Sequence, residues 1–160
     1  MRKGFFLLFF IGLGTIAGAQ LVYPYGDIKL EKPGDYIATE PMALSAATFL
    51  LTSPFVEADE KRLNALKFLS TWMAGTKTYS FYMQGMVLEL SDEINLVQLY
   101  IAAMAQYSLK NKADAVNPMK VDMNASKIVI AYCDDPKNNF KLKKKYRKIL
   151  EKIKQQNKPL

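Results

Sequence analysis

The segment Ile94–Leu109, INLVQLYIAAMAQYSL, constrains the fold more than any other stretch of the chain. Apart from its tyrosines, its apolar run is broken by amide or hydroxyl groups only at Asn95, Gln98, Gln106 and Ser108. Wound as a helix it is apolar around most of its circumference, and such a helix belongs in the middle of a bundle. It is too short and too amide-rich to span a bilayer, which takes about 20 predominantly apolar residues. The expected fold class is therefore all-α: a single bundle of four to five helices, with Ile94–Leu109 at its centre.

The flanking sequence supplies the other helices through caps and periods. Thr39, Glu40 and Pro41 read as cap and first turn of a helix over Glu40–Leu51. It stops at Ser53-Pro54, because the residue before a proline is pushed out of the helical region. Glu57, Asp59 and Glu60 precede the period Leu63, Leu66, Leu69 and Met73, which Phe68 and Trp72 widen. Gly75 closes this second helix, predicted over Ala58–Ala74. Thr76–Gln84 alternates Tyr79, Phe81 and Met83 in the manner of a strand, but no partner strand exists elsewhere to satisfy its backbone. A structured connection is expected there, turning into a short helix over Met83–Leu90. Its aromatics Tyr79, Phe81 and Tyr82, with Trp72, either line a ligand pocket or cover one end of the core.

Ser91-Asp92-Glu93 caps the central helix, which ends at Lys110-Asn111-Lys112 with cations at the negative pole of its dipole. Asn117-Pro118 opens a fourth helix that carries Met119, Met123, Ile128, Val129 and Tyr132 as far as Cys133, before Asp134-Asp135-Pro136 ends it. Asn138 or Asn139 caps a fifth helix over 138–156, with Leu142, Tyr146, Ile149, Leu150 and Ile153 as its apolar stripe. The helical domain thus covers 40–156. Residues 20–39 contain Pro24, Gly26, Pro33 and Gly34 without a helical period, and read as an irregular or extended leader, either docked through Tyr23, Tyr25, Ile28 or Tyr36 or partly disordered.

At the start of the chain, Arg2 and Lys3 precede the run FFLLFFIGLG, which closes on Ala17-Gly18-Ala19. These are the three regions of a secretory signal peptide over 1–19, with cleavage between Ala19 and Gln20. The rival reading is an uncleaved anchor, for which Gly12, Gly14 and Gly18 leave the apolar run short. Once the signal is removed no transmembrane segment remains, and the expected location is the periplasm or the exterior.

The chain has no histidine and one cysteine, Cys133. The first absence removes the commonest general base, the Ser-His and Cys-His nucleophile systems and the usual zinc sites. The second rules out an intramolecular disulfide, so stability must come from packing. Cys133 lies in the apolar context KIVIAYC and reads as a buried, inert thiol. No catalytic, cofactor or metal site is expected. Glu57, Glu89 and Glu93 are the carboxylates a polymer-cleaving enzyme would use, but they also suit helix ends. Asp134-Asp135 lacks the patterned loop of a calcium site and reads as solvated charge.

Charge is distributed unevenly. From Gln20 to Pro136 there are 10 Lys/Arg against 14 Asp/Glu, whereas Lys137–Leu160 holds 10 Lys/Arg against Glu151 alone. Lys141, Lys143, Lys144, Lys145, Arg147 and Lys148 are the candidate contacts to an anionic envelope surface, the alternative being a solubilising face. Nucleic acid is not an expected partner: Phe140 and Tyr146 are the tail's only aromatics, and no groove-reading motif precedes them.

Four stretches carry a resemblance: KPGDY at 32–36, TWMAGTKTYSF at the end of the second helix, LYIAAMAQYSL in the centre and AYCDDPKNN at 131–139. They resemble small exported helical proteins of unknown function from Gram-negative bacteria, which implies the helical fold and export but no activity. A more distant similarity is to periplasmic immunity proteins that neutralise cell-wall amidases. Those usually carry paired cysteines, from which this chain departs. Residues and resemblance together lead to the expectation of an exported, non-enzymatic helical protein that binds an envelope component or a protein partner. The alternative is a carboxylate-dependent enzyme acting on envelope polymers.

Overall fold

The computed structural model describes Tyr25 and residues 28–156; the expected cleavage site at Ala19 and Gln20, and Tyr23, lie outside the described residues. The protein is all-α. Its long helices are α2 (Glu40–Thr52), α3 (Glu60–Gly75), α5 (Ile94–Lys110), α6 (Pro118–Asp134) and α7 (Lys144–Gln156). They correspond to the five expected ones. Two short helices join them, α1 (Pro33–Ala38) and α4 (Met86–Glu89), with a 3-10 turn at Pro136–Asn138.

The apolar stretch read as the organising element is α5, and it lies at the centre, packed against α2 and α6 with α3 alongside. Leu96, Leu99, Tyr100 and Met104 are buried on it, together with Ala102, Ala103 and Ala105. The facing helix α2 buries Ala43, Ala46 and Ala47, so both helices present small side chains and their axes can approach closely. Each larger side chain removed from water contributes about 1.5–3 kcal/mol. Its first residue, Ile94, stays exposed.

Several local details depart from the sequence reading. The stretch read as an irregular leader contains a helix, α1. Pro33 supplies its preset first position, and the Asp35 carboxylate accepts the Glu31 and Lys32 backbone N–H groups at 3.0 Å each. Docking of this region through aromatics does occur: Tyr25 stacks on Phe68 at 5.5 Å, and Trp72 Nε1 donates to the Tyr36 carbonyl at 2.9 Å. The Tyr36 ring lies over Gly75, where an added Cβ would come within 2.1 Å of its hydroxyl. Thr39 does not cap α2 through its side chain; its hydroxyl donates backward to the Asp35 carbonyl at 2.7 Å and closes α1.

The N-terminal cap of α3 is Asp59, which accepts from Lys61 N and Arg62 N. Its buried face is Arg62, Ala65, Phe68, Leu69 and Trp72, whereas Leu63, expected on the stripe, is exposed. Arg62 takes that place because it has a task at the end of α2. Its guanidinium donates to Ser53 Oγ at 3.0 Å and to the Leu50 carbonyl at 3.2 Å, and lies 5.1 Å from the Phe55 ring centroid. A cation there opposes the negative pole of the α2 dipole.

Asn117 caps α6 as expected, accepting from Met119 N and Lys120 N. The fifth long helix starts later than Asn138 or Asn139. Asn138 is buried and uses its amide to donate to the Tyr132 carbonyl at 2.9 Å, and Asn139 turns the chain with φ 51°. Residues 139–143 then run without helix, letting Phe140 pack on Phe55 and Tyr132 before α7 begins at Lys144.

Candidate functional site

Helix α7 is amphipathic to an unusual degree for this chain. Tyr146, Leu150 and Ile153 are buried and hold it against α6, while every lysine and arginine on it is exposed. At 3.6 residues per turn, Lys144, Lys148 and Lys152 follow one another at i, i+4 and i+8 on the side opposite that buried stripe, with Arg147 beside them.

The flanking cations behave differently. Lys143, just before the helix, reaches Glu93 Oε2 at 2.7 Å, and Lys145 reaches Asp92 Oδ2 at 2.5 Å, so both bind the residues that precede α5. Toward the other end, Lys154 reaches Asp134 Oδ2 at 2.8 Å, the last residue of α6. The bond from Lys145 holds the Asp92 carboxyl below its usual range, and the three lysines are each pushed upward by their carboxylate partners. These pairs staple the helix down at both ends. The Lys143 and Lys145 ammonium groups also lie 5.9 and 5.1 Å from the Tyr146 ring centroid.

Of the six cations singled out in the sequence, Lys143 and Lys145 are thus engaged by acidic neighbours. Lys141, Lys144, Arg147 and Lys148 have no carboxylate within 4 Å among the described residues. Lys152, passed over because it lies beyond the densest run, shares their freedom and completes the outer row.

A second surface feature was not expected from sequence. Between α4 and the first turns of α6 lies an open groove of about 550 Å³, lined by Met86, Met119, Met123, Glu89, Asp122 and Lys120 among others. Met119, expected on the apolar stripe of α6, is 79 % exposed, and Met123 is 38 % exposed. Asp122 is half-buried and accepts a short hydrogen bond from the buried Tyr100 hydroxyl. Burial and this carboxylate push the phenol's proton affinity far upward, so Tyr100 stays a donor. Asp122 can lie this close to the chain before α4 because Gly85 has no side chain: a Cβ there would meet Asp122 Oδ2 at 2.2 Å.

The remaining sequence candidates are scattered. Glu57 lies beside a crevice near Arg62, Glu89 in the groove, and Glu93 is paired with Lys143. Among the described residues no three of His, Cys, Asp and Glu come together as a metal would require. The aromatics Trp72, Tyr79 and Phe81 pack on one another with centroids 5.8–6.3 Å apart, and Trp72 is fully buried. They close an end of the core. Tyr82 stays outside that cluster, on a shallow depression with Val116. Cys133 is half-buried, and burial pushes its thiol up to about 12, which leaves it protonated and unreactive at neutral pH.

No helix among the described residues is long and apolar enough to cross a membrane. No known protein family, curated protein or solved structure matches the chain.

Proposed function

We propose that this chain is an exported, non-enzymatic helical protein that attaches to an anionic envelope surface through the outer row of α7. One observation carries the reading: Lys144, Arg147, Lys148 and Lys152 point away from the bundle with no carboxylate within 4 Å among the described residues, while their neighbours are stapled to Asp92, Glu93 and Asp134. Like charges at i, i+4 cost a helix a few tenths of a kcal/mol per pair, and Glu151, at i+4 from Arg147 and i+3 from Lys148, is the row's one acidic neighbour on α7, so four cations to one carboxylate leave a cost that an anionic partner removes. Near an anionic bilayer each lysine or arginine contributes about 1 kcal/mol. Export in this reading rests on the Arg2-Lys3, apolar run and Ala17-Gly18-Ala19 sequence, with cleavage before Gln20.

The test is co-sedimentation of residues 20–160, which include every described residue, with phosphatidylglycerol vesicles and with phosphatidylcholine vesicles. The expected result is binding to the first that weakens as salt is added, since salt screens exposed charge. Equal binding to both lipids, or none, would overturn the reading. The carboxylate-enzyme alternative finds its best pair in Glu89 and Asp122, which line one groove. Release of soluble fragments from peptidoglycan, abolished by Glu89→Gln, would favour it instead.

A further inference from the structure

We propose that the groove between α4 and α6 takes a short cationic, apolar segment of a partner polypeptide. This site is separate from the outer row of α7 and stands or falls independently of it. Met119 and Met123 are spaced i, i+4 and so share one side of α6, and both line the groove; Val116, just before the Asn117 cap, is 84 % exposed. The floor beneath them is apolar and built in, with Met86 and Ile153 buried. Methionine is unbranched and polarisable, which lets such a surface fit apolar side chains of differing shape.

Charge then selects among apolar occupants. The groove carries Glu89 and Asp122, and neither has a lysine or arginine within 4 Å among the described residues. Its one cation, Lys120, is drawn aside to Asp114 at 2.8 Å, and Tyr107 also donates to that aspartate at 2.9 Å. Asp122 is fixed from below by Tyr100 and sits close to the backbone of Gly85. A preset carboxylate beside exposed thioethers is complementary to a lysine or arginine flanked by apolar residues. The volume of about 550 Å³ is within the range that encloses ligands in preformed sites, enough for a few side chains of a segment and too small for a folded domain.

The experiment is fluorescence anisotropy of residues 20–160 with a labelled amphipathic peptide of alternating leucine and lysine clusters, and with the same peptide carrying glutamate for lysine. Saturable binding of the lysine peptide alone is expected. Glu89→Gln with Met119→Ser should weaken it at least about tenfold, a change of about 1.4 kcal/mol. Both positions are exposed, so this variant folds; a far-UV circular dichroism spectrum checks that it has. Met119→Leu with Met123→Leu, which keeps the apolar surface, should bind within about threefold of the parent. The triple variant Lys144→Gln, Lys148→Gln and Lys152→Gln should leave the peptide affinity unchanged, which separates this site from the α7 proposal. Equal binding of the two peptides, as an acyl-chain or detergent site would give, or no effect of the Glu89→Gln, Met119→Ser pair, would overturn the proposal.

Discussion

Replacing Gly85 by alanine strikes two features of the fold at once. Gly85 has φ 59° and ψ −126°, a combination that costs a residue with a side chain about 1–3 kcal/mol. The added Cβ would stand 2.2 Å from Asp122 Oδ2, so the carboxylate must swing away and release the hydroxyl of Tyr100, a residue with no exposed surface. Leaving a buried donor unsatisfied costs about 1–3 kcal/mol more. The expected loss is therefore about 2–6 kcal/mol, a large share of the 5–15 kcal/mol that stabilises a typical domain. Urea unfolding followed by far-UV circular dichroism measures it. The same substitution in a Tyr100→Phe background should cost less, because there is no longer a hydrogen bond to break, and the difference reads the coupling. A loss below about 0.5 kcal/mol, the level of an indifferent surface change, or an equal loss in both backgrounds would refute this reasoning.

Other perturbations address other parts of the molecule. Leu99→Ala should destabilise by about 2–5 kcal/mol, the range for truncation in a packed core, and Ile101→Ala by clearly less because Ile101 is only partly buried; equal unfolding midpoints would contradict the packing of α5. Arg62→Met should cost about 1–3 kcal/mol, since it strands the Leu50 carbonyl that the guanidinium serves, while Ser53 Oγ keeps its bond to the Phe49 carbonyl, and thermal unfolding reads this directly. Stability should fall as pH rises above about 9, because the folded Cys133 thiol holds its proton up to about 12 while the unfolded thiol gives it up near 9.0. The folded state then binds more protons than the unfolded one, so the slope is negative. Cys133→Ala should make it shallower, Tyr100 keeping a share of the same sign at higher pH, and an unchanged slope would exclude Cys133 as a source.

The long helices were legible because local chemistry marks them. Asn117-Pro118 and Ser53-Pro54 sit at real boundaries, and the run around Leu99 and Met104 has no other place than the core. α1 escaped notice because six residues are too few to show a period, although Pro33 and Asp35 were its signals. The start of α7 was misplaced because Asn138 serves Tyr132 across the turn, a partner that proximity in sequence cannot nominate. Leu63 loses its expected place on the buried stripe for a similar reason, since Arg62 is buried there by what it bonds at the end of a different helix.

The site followed the same logic. The lysine run was visible, but its division into staples and outer row depends on Asp92, Glu93 and Asp134, which only the packing of α7 brings near. The groove needs α4 beside α6, a neighbour that the apolar stripe of α6 does not name. Nothing in the sequence around Gly85 points to Asp122, because that partner lies in another helix.

Under the proposed function, the placement of cations on α7, not their number, makes its docking face. Two variants of residues 20–160 test it, each losing three lysines: Lys144→Gln, Lys148→Gln and Lys152→Gln in one, and Lys143→Gln, Lys145→Gln and Lys154→Gln in the other. Their net charges are equal. On phosphatidylglycerol vesicles the outer-row variant should bind about a hundredfold more weakly than the parent, at about 1 kcal/mol for each cation removed, with its unfolding midpoint not lowered. The staple variant should keep its vesicle affinity within about threefold while its unfolding midpoint drops, because α7 is no longer tied to Glu93, Asp92 and Asp134. Equal loss of binding in the two variants would show that total charge alone is responsible and would contradict the claim.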